Sequence, residues 1–270
     1  MIPEAFSYER AGSIAEALEH MGRGALPLAG GHSLVPALKL RLSAPEALVD
    51  IAGIAELSGI RLDDGTLVIG ACTRHRLVAE SSEVMANAAA LAAAAGGIGD
   101  QQVRNRGTIG GSLAQADPHG DLPAVMLALG AEIVVQSASA TRTVAADDFF
   151  VDYYTTALEE GELITEIRIP AGQSMGAYAK FSRRAQDWAV IAAAVSKGAD
   201  GWRVGLCGAA ATALRAKGVE AALAGGASPA EAAAHASEGI SPEPGLDGSA
   251  EYKRHLATVM VRRALEEAGA

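Results

Sequence analysis

Aromatic residues are scarce in this chain: Phe, Trp and Tyr together make up 4% of its 270 residues. A core must therefore come from smaller aliphatic side chains, and half of the residues are hydrophobic, mostly Ala, Val, Leu and Ile. Alanine is the best helix former, and many alanines let helices pack closely. Cysteine is almost absent. Cys72 and Cys207 are far apart and too few for an iron–sulfur cluster, which takes four thiolates, so both are read as core residues of a protein in a reducing, cytoplasmic compartment. Basic charge is in deficit: 22 Lys and Arg stand against 32 Asp and Glu, a net charge of −10. Nucleic-acid affinity comes largely from Lys and Arg neutralising phosphates, so the charge balance argues against a nucleic-acid partner and against a polybasic membrane contact. No apolar run reaches the length of a bilayer span, and residues 1–9 have early acids and no signal-peptide core. The histidines do not cluster in sequence, and no metal site is expected.

Glycine, in contrast, is plentiful, and two of its pairs lie in loops of similar composition, Ala29-Gly30-Gly31-His32-Ser33 and Thr108-Ile109-Gly110-Gly111-Ser112. Glycine allows φ > 0 and lets another backbone or a ligand approach closely. Successive N–H groups in such turns form a concave nest that binds anions, and the hydroxyls of Ser33, Thr108 and Ser112 add donors without bulk. Either pair alone is explained by a tight turn between a strand and a helix. Two nests in one domain suit two linked phosphates, that is, a dinucleotide. Neither loop is a Walker A motif or a G-x-G-x-x-G fingerprint.

The chain between and beyond these loops reads as alternating short elements. Ser13-Ile14-Ala15-Glu16 has the capping-box pattern and opens a helix through about Met21. Residues 25–29, 48–51 and 67–71 read as strands, with Asp63-Asp64-Gly65 the clearest turn. Residues 84–95 read as one alanine-rich helix stopped by Gly96-Gly97. Residues 122–129 read as a helix with Asp121 at its start and Pro123 in its first turn, and residues 132–136 and 141–145 as a hairpin. A boundary near Ile169-Pro170-Ala171-Gly172 divides the chain into residues 1–170 and 171–270. In the second part, residues 178–183 alternate, and 189–197 pair with 202–209 across a turn ending in Asp200-Gly201. Two helices then follow, one capped by Ser228 and one over 251–268, with a Gly-, Pro- and Ser-rich loop at 239–248. Strands followed by segregated helices give an α+β class for both parts.

Read in order, Ala29-Gly30-Gly31-His32-Ser33-Leu34-Val35-Pro36, Lys39-Leu40-Arg41, Val103-Arg104-Asn105-Arg106-Gly107-Thr108-Ile109-Gly110-Gly111, Asp117-Pro118 and Asp121-Leu122-Pro123-Ala124 closely resemble the FAD-binding medium subunit of the molybdenum hydroxylases, the family of the carbon monoxide dehydrogenase and xanthine dehydrogenase flavoproteins. The resemblance covers essentially the whole chain. Ser112 is a departure, since many relatives carry Asn there. The resemblance implies a two-subdomain FAD-binding domain of the vanillyl-alcohol-oxidase (PCMH) type over 1–170, then a smaller α+β domain with an antiparallel sheet and helices over 171–270. It implies noncovalent FAD, its pyrophosphate wrapped by Ala29, Gly30, Gly31, His32 and Ser33 and by Thr108, Ile109, Gly110, Gly111 and Ser112. Asp121 would contact the cofactor's polar chain or act as a helix N-cap. Lys180 would lie near the flavin or be an exposed strand lysine. No catalytic acid, base or nucleophile is expected in this chain. The implied role is electron transfer: electrons from [2Fe-2S] clusters in a small partner subunit pass to an external acceptor, with the molybdenum cofactor in a large subunit and the whole arranged as a dimer of heterotrimers. A self-contained flavin oxidase of the wider fold group and a nucleotide-binding module without redox function are the alternatives. Among the remaining residues, His119 is read as exposed. Arg104 and Arg106 are read as steadying phosphates or as solvated, and Arg183, Arg184 and Asp187 as a domain contact or plain surface.

Overall fold

Frequent Gly, Asp and Pro punctuation cuts the chain into short strands, and the computed structural model, which describes residues 2–270, gathers them into sheets. β1 (Ser7–Arg10), β2 (Leu26–Leu28) and β3 (Ala47–Asp50) form a small parallel sheet in the order β1-β3-β2. Next come β4 (Ile60–Asp63), β5 (Thr66–Gly70), β6 (Glu132–Gln136), β7 (Thr141–Ala145), a two-stranded hairpin of β8 (Phe150–Asp152) and β9 (Thr155–Thr156), and β10 (Leu163–Pro170). β4-β5-β10-β6-β7 is an antiparallel sheet. At its first turn Asp64 and Gly65 both have positive φ, 42° and 76°, which gives the turn twist that a two-residue hairpin requires.

The C-terminal sheet is β11 (Gly176–Phe181), β12 (Ile191–Gly198), β13 (Gly201–Cys207) and β14 (Leu214–Arg215), antiparallel throughout. The unbroken apolar run of β12 has a physical reason, because both faces of the strand are buried. Ala192 and Ala194 join the core built around the Asp121–Leu129 helix, while Ile191, Ala193 and Val195 join Leu256, Met260 and Val261 of the Ala250–Ala268 helix. Alternation is hidden when each side of a strand meets a core. Gly205 allows the closest approach: a Cβ there would stand 2.0 Å from Ala124 O. This seats β13 directly on the backbone of the Asp121–Leu129 helix, whose residues are buried on every side.

Three local expectations need correction. The helix expected over 84–95 is broken into Ser82–Asn87 and Ala89–Gly96. At the break, Ala88 leaves helical geometry to bridge Gln173, and Asn87 O accepts from Gln173 N at 3.0 Å. The capping box at Ser13 is incomplete. Ser13 Oγ accepts from Glu16 N, but the Glu16 carboxylate accepts from Gly12 N rather than from Ser13 N. The segment from Ile109 is not a loop but the start of the Ile109–Gln115 helix.

Candidate functional site

The first glycine segment runs from the end of β2 into the Leu34–Leu40 helix. Gly31 has φ +72°, the left-handed turn expected of such a loop. Gly30 is glycine for a different reason, since a Cβ there would lie 2.4 Å from Arg106 O. Its bare backbone is what lets this loop abut the segment that leads into Thr108. Among the described residues, none of the N–H groups from Gly30 to Ser33 donates to a protein acceptor. His32 Nδ1 lies 3.0 Å from Gly30 O, which steadies the turn from within.

The second glycine segment works differently from the expected nest. Gly110 and Gly111 do not have positive φ. Thr108 is the N-cap, and its hydroxyl accepts from Gly111 N at 3.2 Å. Ile109 N donates to Thr73 O and Gly110 N to Ala71 O. Gly110 is needed because a Cβ would meet Ala71 at 2.6 Å. These amides dock the helix start onto the turn after β5, so most of them are already engaged by protein.

The two segments share one wall of a cavity of about 440 Å³, within the range of ordinary cofactor pockets. Ala29, Gly30, Gly31, His32, Ser33, Thr108, Gly111, Ser112, Asp121 and Lys180 all line it. Ile109 and Gly110 do not line it: Ile109 is in the core below, and Gly110 is buried against Ala71. The lining also includes Val103, which opens the quoted motif running to Gly111, and Leu26, Pro27 and Ile98, whose apolar character carries no signal of a site in the sequence. It further includes His75, Gln186, Asp187 and Trp188. Trp188 is 55% exposed, and as one of only two tryptophans it was open to notice in the sequence. Asp187 and Trp188 also border a second cavity of about 270 Å³ with Asp117, His119 and Tyr154.

Asp121 is not the helix cap. Gly120 occupies the N-cap position, and no side-chain cap bond is made. The Asp121 carboxylate instead lies 3.0 Å from Lys180 Nζ and accepts from the Tyr178 hydroxyl. Both partners come from β11, the strand paired with β12 in the sheet whose β12 and β13 pack on the Asp121–Leu129 helix. Lys180 is 13% exposed and Asp121 4%, so Lys180 is no surface lysine. Burial pushes the Asp121 carboxyl upward, opposed by Lys180 and by the Tyr178 hydrogen bond. Burial likewise raises the Tyr178 hydroxyl well above its ordinary value, with Cys207 and Asp121 adding to the effect. The pair thus meets the cavity as a near-neutral, hydrogen-bonding unit rather than as a free cation.

His75 is 5% exposed, and burial, reinforced by His32, lowers its imidazole to about 4. His119 is half-buried rather than exposed, with Nδ1 2.8 Å from Ala189 O. Arg104 donates to Ile98 O and Gly99 O and braces that turn, while Arg106 points to solvent. Arg183 donates to Leu246 O at 2.7 Å.

The donor set fits a dinucleotide cofactor. A row of unpaired N–H groups and small hydroxyls suits a pyrophosphate, and the largely apolar remainder of the lining suits the rings on either side. Comparison with known proteins agrees. Residues 4–172 match the family described as the FAD binding domain in molybdopterin dehydrogenase, and residues 176–268 match the CO dehydrogenase flavoprotein C-terminal domain. The carbon monoxide dehydrogenase medium chain of Hydrogenophaga pseudoflava is 44% identical over 100% of this chain and 99% of its own length. The 6-hydroxypseudooxynicotine dehydrogenase complex subunit alpha of Paenarthrobacter nicotinovorans is 38% identical over 99% of this chain and 96% of its own. A structure of the H. pseudoflava carbon monoxide dehydrogenase superposes with a TM-score of 0.95 over 100% of this chain and 99% of that one, at 44% identity. Quinoline 2-oxidoreductase from Pseudomonas putida 86 does so with a TM-score of 0.92 at 31% identity, over 99% and 98% of the two chains.

Proposed function

This chain belongs to the family of FAD-binding medium subunits of the molybdenum hydroxylases, and from that premise we propose how its residues serve the family's electron-transfer role. It is the flavoprotein component of a molybdenum-containing oxidoreductase: it takes electrons from [2Fe-2S] clusters of a partner and hands them to an external acceptor. Bound FAD supplies the redox chemistry, while the protein supplies binding, orientation and electrostatics. The N–H groups of Gly30, Gly31, His32 and Ser33 hold the pyrophosphate, and the hydroxyls of Thr108 and Ser112 offer further donors from the facing helix start, with Gly111 between them leaving room for the ligand. Ile109 and Gly110 act beneath them by fixing that helix start to the turn at Ala71–Thr73. Asp121 and Lys180, held together by Tyr178, face the cofactor as a hydrogen-bonding pair. Binding is noncovalent.

The observation that carries this reading is the unpaired run of amides from Gly30 to Ser33 on the wall of an open cavity of about 440 Å³. We place the division between the FAD-binding part and the C-terminal part at about residue 170, supported by the distinct sheet that begins at Gly176. We further propose a small iron–sulfur subunit and a large molybdenum subunit as partners, in a dimer of heterotrimers in the cytoplasm. No helix of the described residues is long and apolar enough to cross a membrane, and the two free cysteines are buried.

The test is the visible spectrum of the purified chain, with the released chromophore identified, followed by co-expression with the two partner subunits encoded in the same organism. Flavin bands, releasable FAD and a three-component complex are expected. A chain that neither carries nor takes up FAD refutes the site, and one that ignores both partners refutes the assembly.

A further inference from the structure

His75 is held where no protein group answers its side chain. Its backbone N–H donates to Gly107 O at 3.0 Å, which anchors the start of the His75–Glu80 helix beside the approach to Thr108. The ring lines the cavity, and Nδ1 is the one buried side-chain nitrogen or oxygen among the described residues with no hydrogen-bond partner. Buried polar groups are otherwise paired almost without exception. Nδ1 is enclosed beyond a ligand's reach, whereas Nε2, which also has no hydrogen-bond partner among the described residues, is not enclosed and is the ring nitrogen left for a ligand.

A second observation points the same way. A Cβ on Gly107 would stand 2.7 Å from His75 Cδ2 and 2.9 Å from Nε2. Glycine at this position keeps that edge of the ring unobstructed, and Gly107 itself lines the cavity. The first loop is close by, since a Cβ on Gly30 would stand 2.9 Å from Gly107 Cα, and that loop carries the unpaired amides of Gly30 to Ser33. Burial keeps the ring neutral, so one nitrogen bears the proton and the other a lone pair. An enclosed N–H without an acceptor is the rarer defect in folded proteins. The proton therefore belongs on Nε2, and the enclosed Nδ1 keeps the lone pair.

We propose that His75 is a binding residue of this cavity, donating from Nε2 to a phosphate oxygen of the bound dinucleotide. The proposal rests on the FAD reading of the site. It adds a side-chain donor, from outside both glycine segments, to the amides that hold the pyrophosphate.

The test uses the full chain stripped of flavin, with FAD and ADP as probes in calorimetric titrations; ADP shares the pyrophosphate but lacks the flavin. His75→Phe keeps a ring and removes the donor. It is expected to weaken FAD and ADP by the same factor, about ten- to a hundredfold, the loss typical of one hydrogen bond to a charged group. His75→Gln, with an amide N–H in place of Nε2, is expected to recover most of that loss. Gly107→Ala, which crowds the Nε2 edge while leaving the imidazole in place, is expected to weaken both probes too. Unchanged ADP affinity in His75→Phe overturns the proposal. So does a loss confined to FAD, which would put His75 at the flavin half, or an equal loss in the Phe and Gln variants, which would make the role one of packing. If the wild-type chain binds neither probe, the FAD reading falls first and the contact with it.

Discussion

A neutral, buried histidine makes stability depend on acid in a direction that can be worked out. The unfolded chain takes up a proton on His75 near pH 6.5, and the folded chain only near pH 4. Between these values the unfolded state holds the extra proton, so lowering the pH favours unfolding. The stability is fully present above about pH 6.5 and is lost as the pH falls toward 4. The gap of 2.5 units between those values corresponds to about 3 kcal/mol in total, and about 2 kcal/mol of it is gone by pH 5. That is a large share of the ~5–15 kcal/mol by which domains are stable. The assay is urea unfolding of the flavin-free chain at pH 7.5 and pH 5, for the wild type and His75→Phe. Asp121, whose carboxyl is raised by burial, acts in the opposite sense, because its folded form gains a proton earlier on acidification. It is present in both proteins and cancels in the difference. The wild type should lose about 2 kcal/mol more than the variant over this interval. Equal losses would mean that His75 titrates normally in the folded chain, and the argument for an enclosed, neutral ring would be refuted.

Gly30→Ala puts a Cβ into the space of Arg106 O, 2.4 Å away, and should force the two glycine segments apart. The expected result is a lowered flavin-to-protein ratio with a stability loss of about 1–3 kcal/mol, read from flavin absorbance and urea midpoints; full flavin content at an unchanged midpoint would show that the close contact is dispensable. Lys180→Met strands the Asp121 carboxylate with Tyr178 as its remaining side-chain donor. Removing one partner of a buried pair costs about 3–5 kcal/mol, and the double variant with Asp121→Asn should cost less than the sum of the singles; strictly additive losses would show that the two side chains are not coupled.

Periodicity and turn chemistry carried much of this fold, and its failures have identifiable causes. The β12–β13 hairpin was legible through its Asp200-Gly201 turn, with Gly201 at positive φ, and β6–β7 through two strand-like runs close together; at β4–β5 the Asp64-Gly65 turn was legible but β4 itself was not. β1 was missed because Ser7–Arg10 is exposed and exists as a strand only through its pairing with β3. The break at Ala88 was invisible because its cause, Gln173, lies far away in sequence. The two glycine segments were rightly paired but wrongly equated. A Gly-Gly pair announces that something comes close, not what comes close. At Gly30 the neighbour is the Arg106 carbonyl, and at Gly110 it is Ala71, both of them protein. Asp121 was ambiguous in sequence because a carboxylate at a helix start suits a cap as well as a ligand, and only the position of β11 across from it decides in favour of Lys180 and Tyr178. His75 gave no signal at all. Its significance comes from what is missing around it, and an unpaired atom cannot be read from a sequence that specifies only which groups exist. That asymmetry is general for cofactor sites built on glycine. The residues that shape the backbone leave a pattern along the chain, whereas the side chains that complete the site are brought in from elsewhere in the fold and are recognisable only by the partners they lack.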